Sequence, residues 1–189
     1  MMIYFLTQSI GSITLLFSIM ANSLMFTSPF LMSEFLSMMI MMSVMIKVGA
    51  APFHFWLPEM MTNLSWMKCM VLMTWQKIAP LMVLSNTIPN NWFLHTSVIL
   101  SVMIGGIGGL NQTSLRKMLA YSSISHLGWI MMFMSVSTNW YKYLLIYSIL
   151  IVMICLMMVS KNIMFINQLT SLSPSIMEKL TFTVSFLSI

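Results

Sequence analysis

The sequence predicts an all-α protein, a polytopic bundle of transmembrane helices, and three observations carry that prediction. Of 189 residues, 59% are hydrophobic and only 6% charged, whereas the water-facing surface of a soluble domain needs roughly 25% charged residues. Apolar runs close to the ~20 residues that cross a bilayer recur along the chain, separated by short Pro, Asn and Ser punctuation. These runs are too long for the ~10-residue alternating strands of an outer-membrane barrel, and they do not alternate.

Taken in order, the spans are expected at about Met2–Phe26, Phe35–Ala51, Met67–Asn86, Trp92–Leu110, Ser114–Met134 and Trp140–Ser160, with Pro174–Ile189 starting another. The stretch "MIKVGAAPFHFWLPE", Met45 to Glu59, interrupts this regularity. Lys47 ends an oily run, Pro52 and Pro58 break the chain, and His54 sits between aromatic rings. The residues from Pro52 to Trp66 therefore read as the shorter second half of a discontinuous helix, with the break at about Ala50–Trp56.

Several chemistries are excluded or weak. The net charge of +5 is spread over connectors, so no basic patch follows a nucleic-acid backbone. Cys69 and Cys155 are too far apart for a CxxC pair and read as buried thiols. His54, His95 and His126 lack metal-ligand spacing. "GGIGGLNQ" does not complete a dinucleotide loop; Gly105, Gly106, Gly108 and Gly109 read instead as small residues for close helix contact, followed by a helix end. The sequons at Asn63 and Asn111 carry no weight. No basic leader or cleavage site precedes the first span, so insertion is expected to rest on the helices themselves. The 26 methionines exceed anything packing requires and fit a coding system with an extra Met codon, as in animal mitochondria.

Lysines then become the informative residues. Lys68, Arg116, Lys117, Lys142, Lys161 and Lys179 lie near span ends, where long side chains reach the headgroups. Lys77 lies mid-span, where a cation costs ~2.5–3.5 kcal/mol on insertion scales. Lys47 is also deep in its segment if the chain continues past the break. Each sits beside a carbonyl that a proline four residues on would free: Val48 by Pro52, Gln76 by Pro80. Open backbone at membrane depth is tolerated only against protein or a wet cavity. An ammonium in that setting suits a proton relay; the alternative is a packing lysine paired to a carbonyl or a hidden acid.

"KVGAAPFHFWLPE", "LMTWQKIAPLM" and "GGLNQTSLRKMLAYSSISHLGW", in this order and spacing, resemble the antiporter-like membrane subunits of respiratory complex I (NADH:ubiquinone oxidoreductase) in arthropod-like form. The resemblance covers essentially the whole chain. It implies an inverted-repeat fold of two five-helix repeats, about 1–86 falling in the later part of the first and about 92–189 in most of the second. It further implies a line of protonatable residues across the membrane: Lys47 and Lys77 on the lysines of the broken helix and the next one, His54 with Pro52 in the break, and His126 on the histidine of the second repeat.

The resemblance also implies function. This chain would contribute proton translocation coupled to electron transfer from NADH to ubiquinone, in the mitochondrial inner membrane, among other membrane-arm subunits and lipid. It would bind no cofactor or metal itself; NADH, FMN, iron–sulfur clusters and ubiquinone belong to other subunits, and the isolated chain is not expected to be catalytic. A scaffold subunit without a proton path and a sodium/proton antiporter subunit are the competing readings. Two family features have no counterpart. The "GLE"-like stretch with the acid facing the first lysine is missing, and the chain stops before the second broken helix, so it is expected to be an internal fragment. Glu34 cannot replace that acid if its helix is unbroken, since ~20 Å of axis separates it from Lys47 at ~1.5 Å per residue.

Overall fold

The computed structural model describes residues 2–24, 31–87, 92–110, 112–136, 139–161, 163–165 and 168. Within them the chain forms α1 (Met2–Leu24), α2 (Leu31–Val48), α3 (Trp56–Asn63), α4 (Trp66–Thr87), α5 (Trp92–Leu110), α6 (Leu115–Val136) and α7 (Trp140–Lys161). Five of these are long and apolar enough to cross a membrane: α1, α4, α5, α6 and α7. The expected span at Pro174–Ile189 lies outside the described residues.

The discontinuous helix is present as α2 and α3, and its details differ from the sequence expectation. Gly49, not Pro52, ends α2. It adopts φ +78°, a left-handed conformation that a side chain resists, and Ala50 N–H then reaches back to Met45 O at 3.2 Å in the 6→1 bond of a Schellman ending. The helix is over before Pro52 can remove a hydrogen bond from Val48. Pro58 falls in the first turn of α3, where its missing N–H costs nothing.

Short connections turn the chain back between successive spans, α2 and α3 counting as one, and helix ends meet accordingly. Arg116, at the start of α6, donates to Leu64 O between α3 and α4 and lies 5.7 Å over the ring of Trp66. Leu115 N–H bonds Met164 O just beyond α7 at 3.3 Å. Arg116 therefore works inward as a clasp between three helix ends, where the sequence suggested a headgroup anchor. Among the described residues, Lys68 and Arg116 with Lys117 stand at the starts of α4 and α6 and Lys161 at the end of α7, whereas Lys142 stands at the start of α7.

The closest helix pair is α5 with α6. A Cβ on Gly105 would strike the backbone of Ser125, and one on Gly128 would strike Ser101 and Val102. The glycine run of α5 thus serves close contact at Gly105 and Gly108, as expected, but Gly106 faces open space. Gly128, on the partner helix, completes the contact.

Two apolar cores result. One surrounds α3 and includes Trp56, Met61, Met73, Leu119 and Ile154; Cys69 and Cys155 lie in it as free, buried thiols. The other joins α2, α5 and the far halves of α4 and α6, with Met45, Leu81, Leu94, Leu127 and Ile130. Between Met73 and Leu81 on α4 stands Lys77; between Ala120 and Leu127 on α6 stand Ser122, Ser123 and His126. A polar layer therefore separates the cores near the middle of the spans.

Candidate functional site

Lys77 is 3% exposed. It occupies the middle of α4, where the 3.6-residue repeat turns it inward with Cys69, Met73, Leu81 and Leu84. Pro80 leaves the Gln76 carbonyl without its helical donor, yet the ammonium does not turn to it. Nζ instead donates across the bundle to Ser123 O on α6 at 3.3 Å and to the Tyr147 hydroxyl on α7, also at 3.3 Å. It lies 4.9 Å from the centre of the Tyr147 ring, a separation at which a ring face attracts a cation. All three recorded contacts are with neutral groups.

His126 packs against the same tyrosine. The two ring centres are 4.9 Å apart, and His126 Nδ1 shares a 2.7 Å hydrogen bond with the Tyr143 hydroxyl. Tyr143 and Tyr147 are four residues apart, so α7 presents them on one face. A cavity of about 190 Å³ opens among Ser122, His126, Tyr143, Tyr147, Ile146 and Ile151. It exceeds the ~30 Å³ that a water molecule takes in the liquid, and its polar lining supplies the two to four partners that a buried water needs.

A second cavity, about 330 Å³, runs between α5 and α6 past Gly106, Gly109 and Gln112, and it too is lined by Ser122. One serine thus stands between the His126 cavity and a larger one leading toward the α5–α6 connection. Its hydroxyl donates to Leu119 O at 2.9 Å within its own helix.

Lys47 lies elsewhere. It is partly buried at the end of α2, its stem passing Gly11 of α1, where a Cβ would come within 2.7 Å of Lys47 Cγ. The final carbonyls of α2 are held by neighbours: Gln8 Nε2 donates to Lys47 O at 3.0 Å, and Trp56 Nε1 donates to Ile46 O at 3.2 Å. His54 is 6% exposed within the break, its Nδ1 3.3 Å from Pro52 O and its ring 4.1 Å from that of Phe55. Thus Lys77 and His126 come together through Tyr147, and no recorded contact joins Lys47 or His54 to them. His95 is exposed on α5. Glu34 shares the uninterrupted α2 with Lys47, which keeps ~20 Å of helix axis between them.

Sequence reasoning overlooked Tyr143, Tyr147 and Gln8. The tyrosine pair had a legible signal, two hydroxyl-bearing rings at i and i+4 inside an apolar run. Gln8 had none, because only the fold brings it to residue 47.

A family model described as NADH:quinone oxidoreductase/Mrp antiporter, transmembrane, matches residues 1–189. NADH-ubiquinone oxidoreductase chain 2 of Locusta migratoria is 50% identical over 171 residues, 90% of this chain and 50% of that protein. Its counterpart from Lumbricus terrestris is 36% identical over 174 residues, 90% of this chain and 51% of that one. The chain thus spans about half the length of the curated relatives it matches. In fold it is similar to a chain of respiratory complex I from Thermus thermophilus, with a TM-score of 0.74 at 24% identity, over 80% of this chain and 38% of the other.

Proposed function

We propose, since this chain belongs to the NADH:quinone oxidoreductase/Mrp antiporter transmembrane family, that it contributes a proton-holding layer to the membrane arm of complex I. In that role it moves protons, in step with electron transfer from NADH to ubiquinone, across the mitochondrial inner membrane. Lys77 is the central carrier, and Tyr147 and His126 connect it to the cavity they line with Ser122 and Tyr143. The single supporting observation is the placement of a buried mid-span ammonium among neutral partners, one hydroxyl away from a histidine and a cavity.

The physical logic is one of balance. A desolvated charge without a fixed counter-charge is costly, and the hydrogen bonds Lys77 donates to Ser123 O and the Tyr147 hydroxyl return only part of that cost. With only neutral partners around it, Lys77 is open to the influence of a charge arriving or leaving nearby. A carboxylate fixed beside the lysine would remove this sensitivity. Lys47, His54 and the break between α2 and α3 belong to the same path in this reading, on its α1 side, and the driving change comes from neighbouring subunits. The nucleotide, flavin, iron–sulfur and quinone sites lie on those subunits, and this chain carries no electrons.

Lys77→Met, close in volume and unable to carry a proton, tests the reading in the assembled complex. The expected result is normal assembly with strongly reduced proton pumping and coupled quinone reduction. Normal pumping with normal assembly leaves the chain as scaffold. Pumping restored by an imposed sodium gradient marks an antiporter of the same fold.

A further inference from the structure

We infer that Gly11 of α1 is a positioning residue for Lys47: its missing side chain fixes the direction in which the lysine stem leaves α2. A Cβ built on Gly11 comes 2.7 Å from Lys47 Cγ, 3.4 Å from Ser43 O and 3.5 Å from Ile46 Cγ2. Residues 43, 46 and 47 are spaced i, i+3 and i+4, so they surround one hole on the surface of α2, and the buried Gly11 stands over it. Carbon atoms in contact sit ~3.5–4.0 Å apart. The approaches to Ser43 and Ile46 are ordinary contacts, and the approach to Lys47 is a collision. Of the three neighbours, only the lysine stem requires glycine at position 11.

The first helix is anchored on both sides of that point. Gln8, one turn before Gly11, donates to Lys47 O at 3.0 Å, and Tyr4, a further turn back, has its ring 6.2 Å from that of Trp56. Leu15, one turn after Gly11, packs on the core that α2 shares with α5. These residues follow one another at steps of three and four, along one face of α1. Lys47 is thus held by its carbonyl through Gln8 and by its stem through Gly11. A helical lysine leaves the backbone with χ1 near 180° or −60°, because +60° strikes the preceding turn. With α1 anchored, a side chain at position 11 closes the well that Lys47 occupies and leaves one other. χ1 is the torsion nearest the backbone, so this change swings the whole stem and carries the ammonium several ångströms. The functional consequence rests on the proton path proposed above, of which Lys47 is a part: proton transfer needs hydrogen-bond reach between its partners, and the displaced ammonium loses it. Gly11 itself carries no proton.

The assignment is tested in the purified complex carrying the full chain. The first readout is the Lys47 side-chain density in an electron-microscopy map of the Gly11→Ala complex. Lys47 is expected in the other helical rotamer with α1 in place; an unchanged rotamer overturns the inference, whether or not α1 has moved. The second readout is protons pumped per NADH oxidised in proteoliposomes, which Gly11→Ala should lower several-fold. Lys47→Met keeps Cβ and Cγ, and with them the collision at position 11, but has no ammonium to misplace. Adding Gly11→Ala to Lys47→Met should therefore change the residual pumping no further. An equal fractional loss in both backgrounds makes Gly11 a packing glycine and overturns the inference. If Gly11→Ala lowers assembly, Lys47→Ala, which deletes Cγ, should restore it in the double variant; unrestored assembly places the collision elsewhere and also overturns the inference. A Lys47→Met complex that pumps like wild type removes Lys47 from the proton path, while the map still decides the placement of its stem, so the two readings fail separately.

Discussion

Lys77 Nζ and the Tyr147 hydroxyl lie 3.3 Å apart, joining residues seventy positions apart in sequence at the point where α4 and α7 pack. The ring of the same tyrosine touches His126. Lys77 and His126 thereby share one neighbour, and removing that neighbour's oxygen isolates the contribution of the link from that of the lysine.

Tyr147→Phe keeps the ring, and with it the packing and the attraction of the cation to the ring face, and deletes only the hydroxyl. A hydrogen bond to a charged group is worth ~1.5–3 kcal/mol, so proton transfer through this position should slow by roughly one to two orders of magnitude. Assembly should stay normal, because the Ser123 carbonyl still receives the ammonium. The check is acidification of a pH dye in proteoliposomes at matched NADH oxidation; unchanged pumping rules out a bridging role for Tyr147.

Gln8→Leu strips the hydrogen bond from Lys47 O and leaves a helix-terminal carbonyl unpaired in apolar surroundings. Such a group costs ~1–3 kcal/mol. Amide exchange across residues 49–55, the segment that α1 then ceases to hold, should accelerate by roughly five- to a hundredfold. Exchange at wild-type rates in the variant shows that the Gln8 contact contributes nothing to the break.

Gly128→Val places a branched side chain against Ser101 and Val102 at the tightest contact between α5 and α6. Overpacking of this kind costs ~1–3 kcal/mol, and the steady-state amount of membrane-inserted chain should fall. Gly106→Ala is the matched control: nothing lies within 4 Å of its added Cβ, and its level should equal wild type.

Period and length made much of this legible in the sequence. The span at Trp92–Leu110 has the same bounds in the fold, and Lys77 declared itself by standing mid-run. The end of α2 was misplaced by three residues because proline drew the attention that Gly49 merited: a left-handed glycine stops a helix before a later proline can act. The Gln76 carbonyl that Pro80 frees beside Lys77 does not receive its ammonium. A lysine stem spans several ångströms, so its head can select a partner across the bundle. At Lys77 that partner is the Ser123 carbonyl on α6, and Gln8, from α1, takes the carbonyl of Lys47 itself. Such pairings depend on which helices meet, and local sequence does not record that.

The polar layer between the two apolar cores has a mechanical consequence. Interlocked aliphatic side chains resist displacement because each shift opens a void, whereas hydroxyls, an imidazole and an ammonium around a cavity can exchange partners at ~1 kcal/mol each. The bundle is therefore stiff above and below this layer and compliant within it. A sideways push from an adjoining polypeptide is expected to concentrate there as shear, so that Lys77 and His126 sit where the protein yields first.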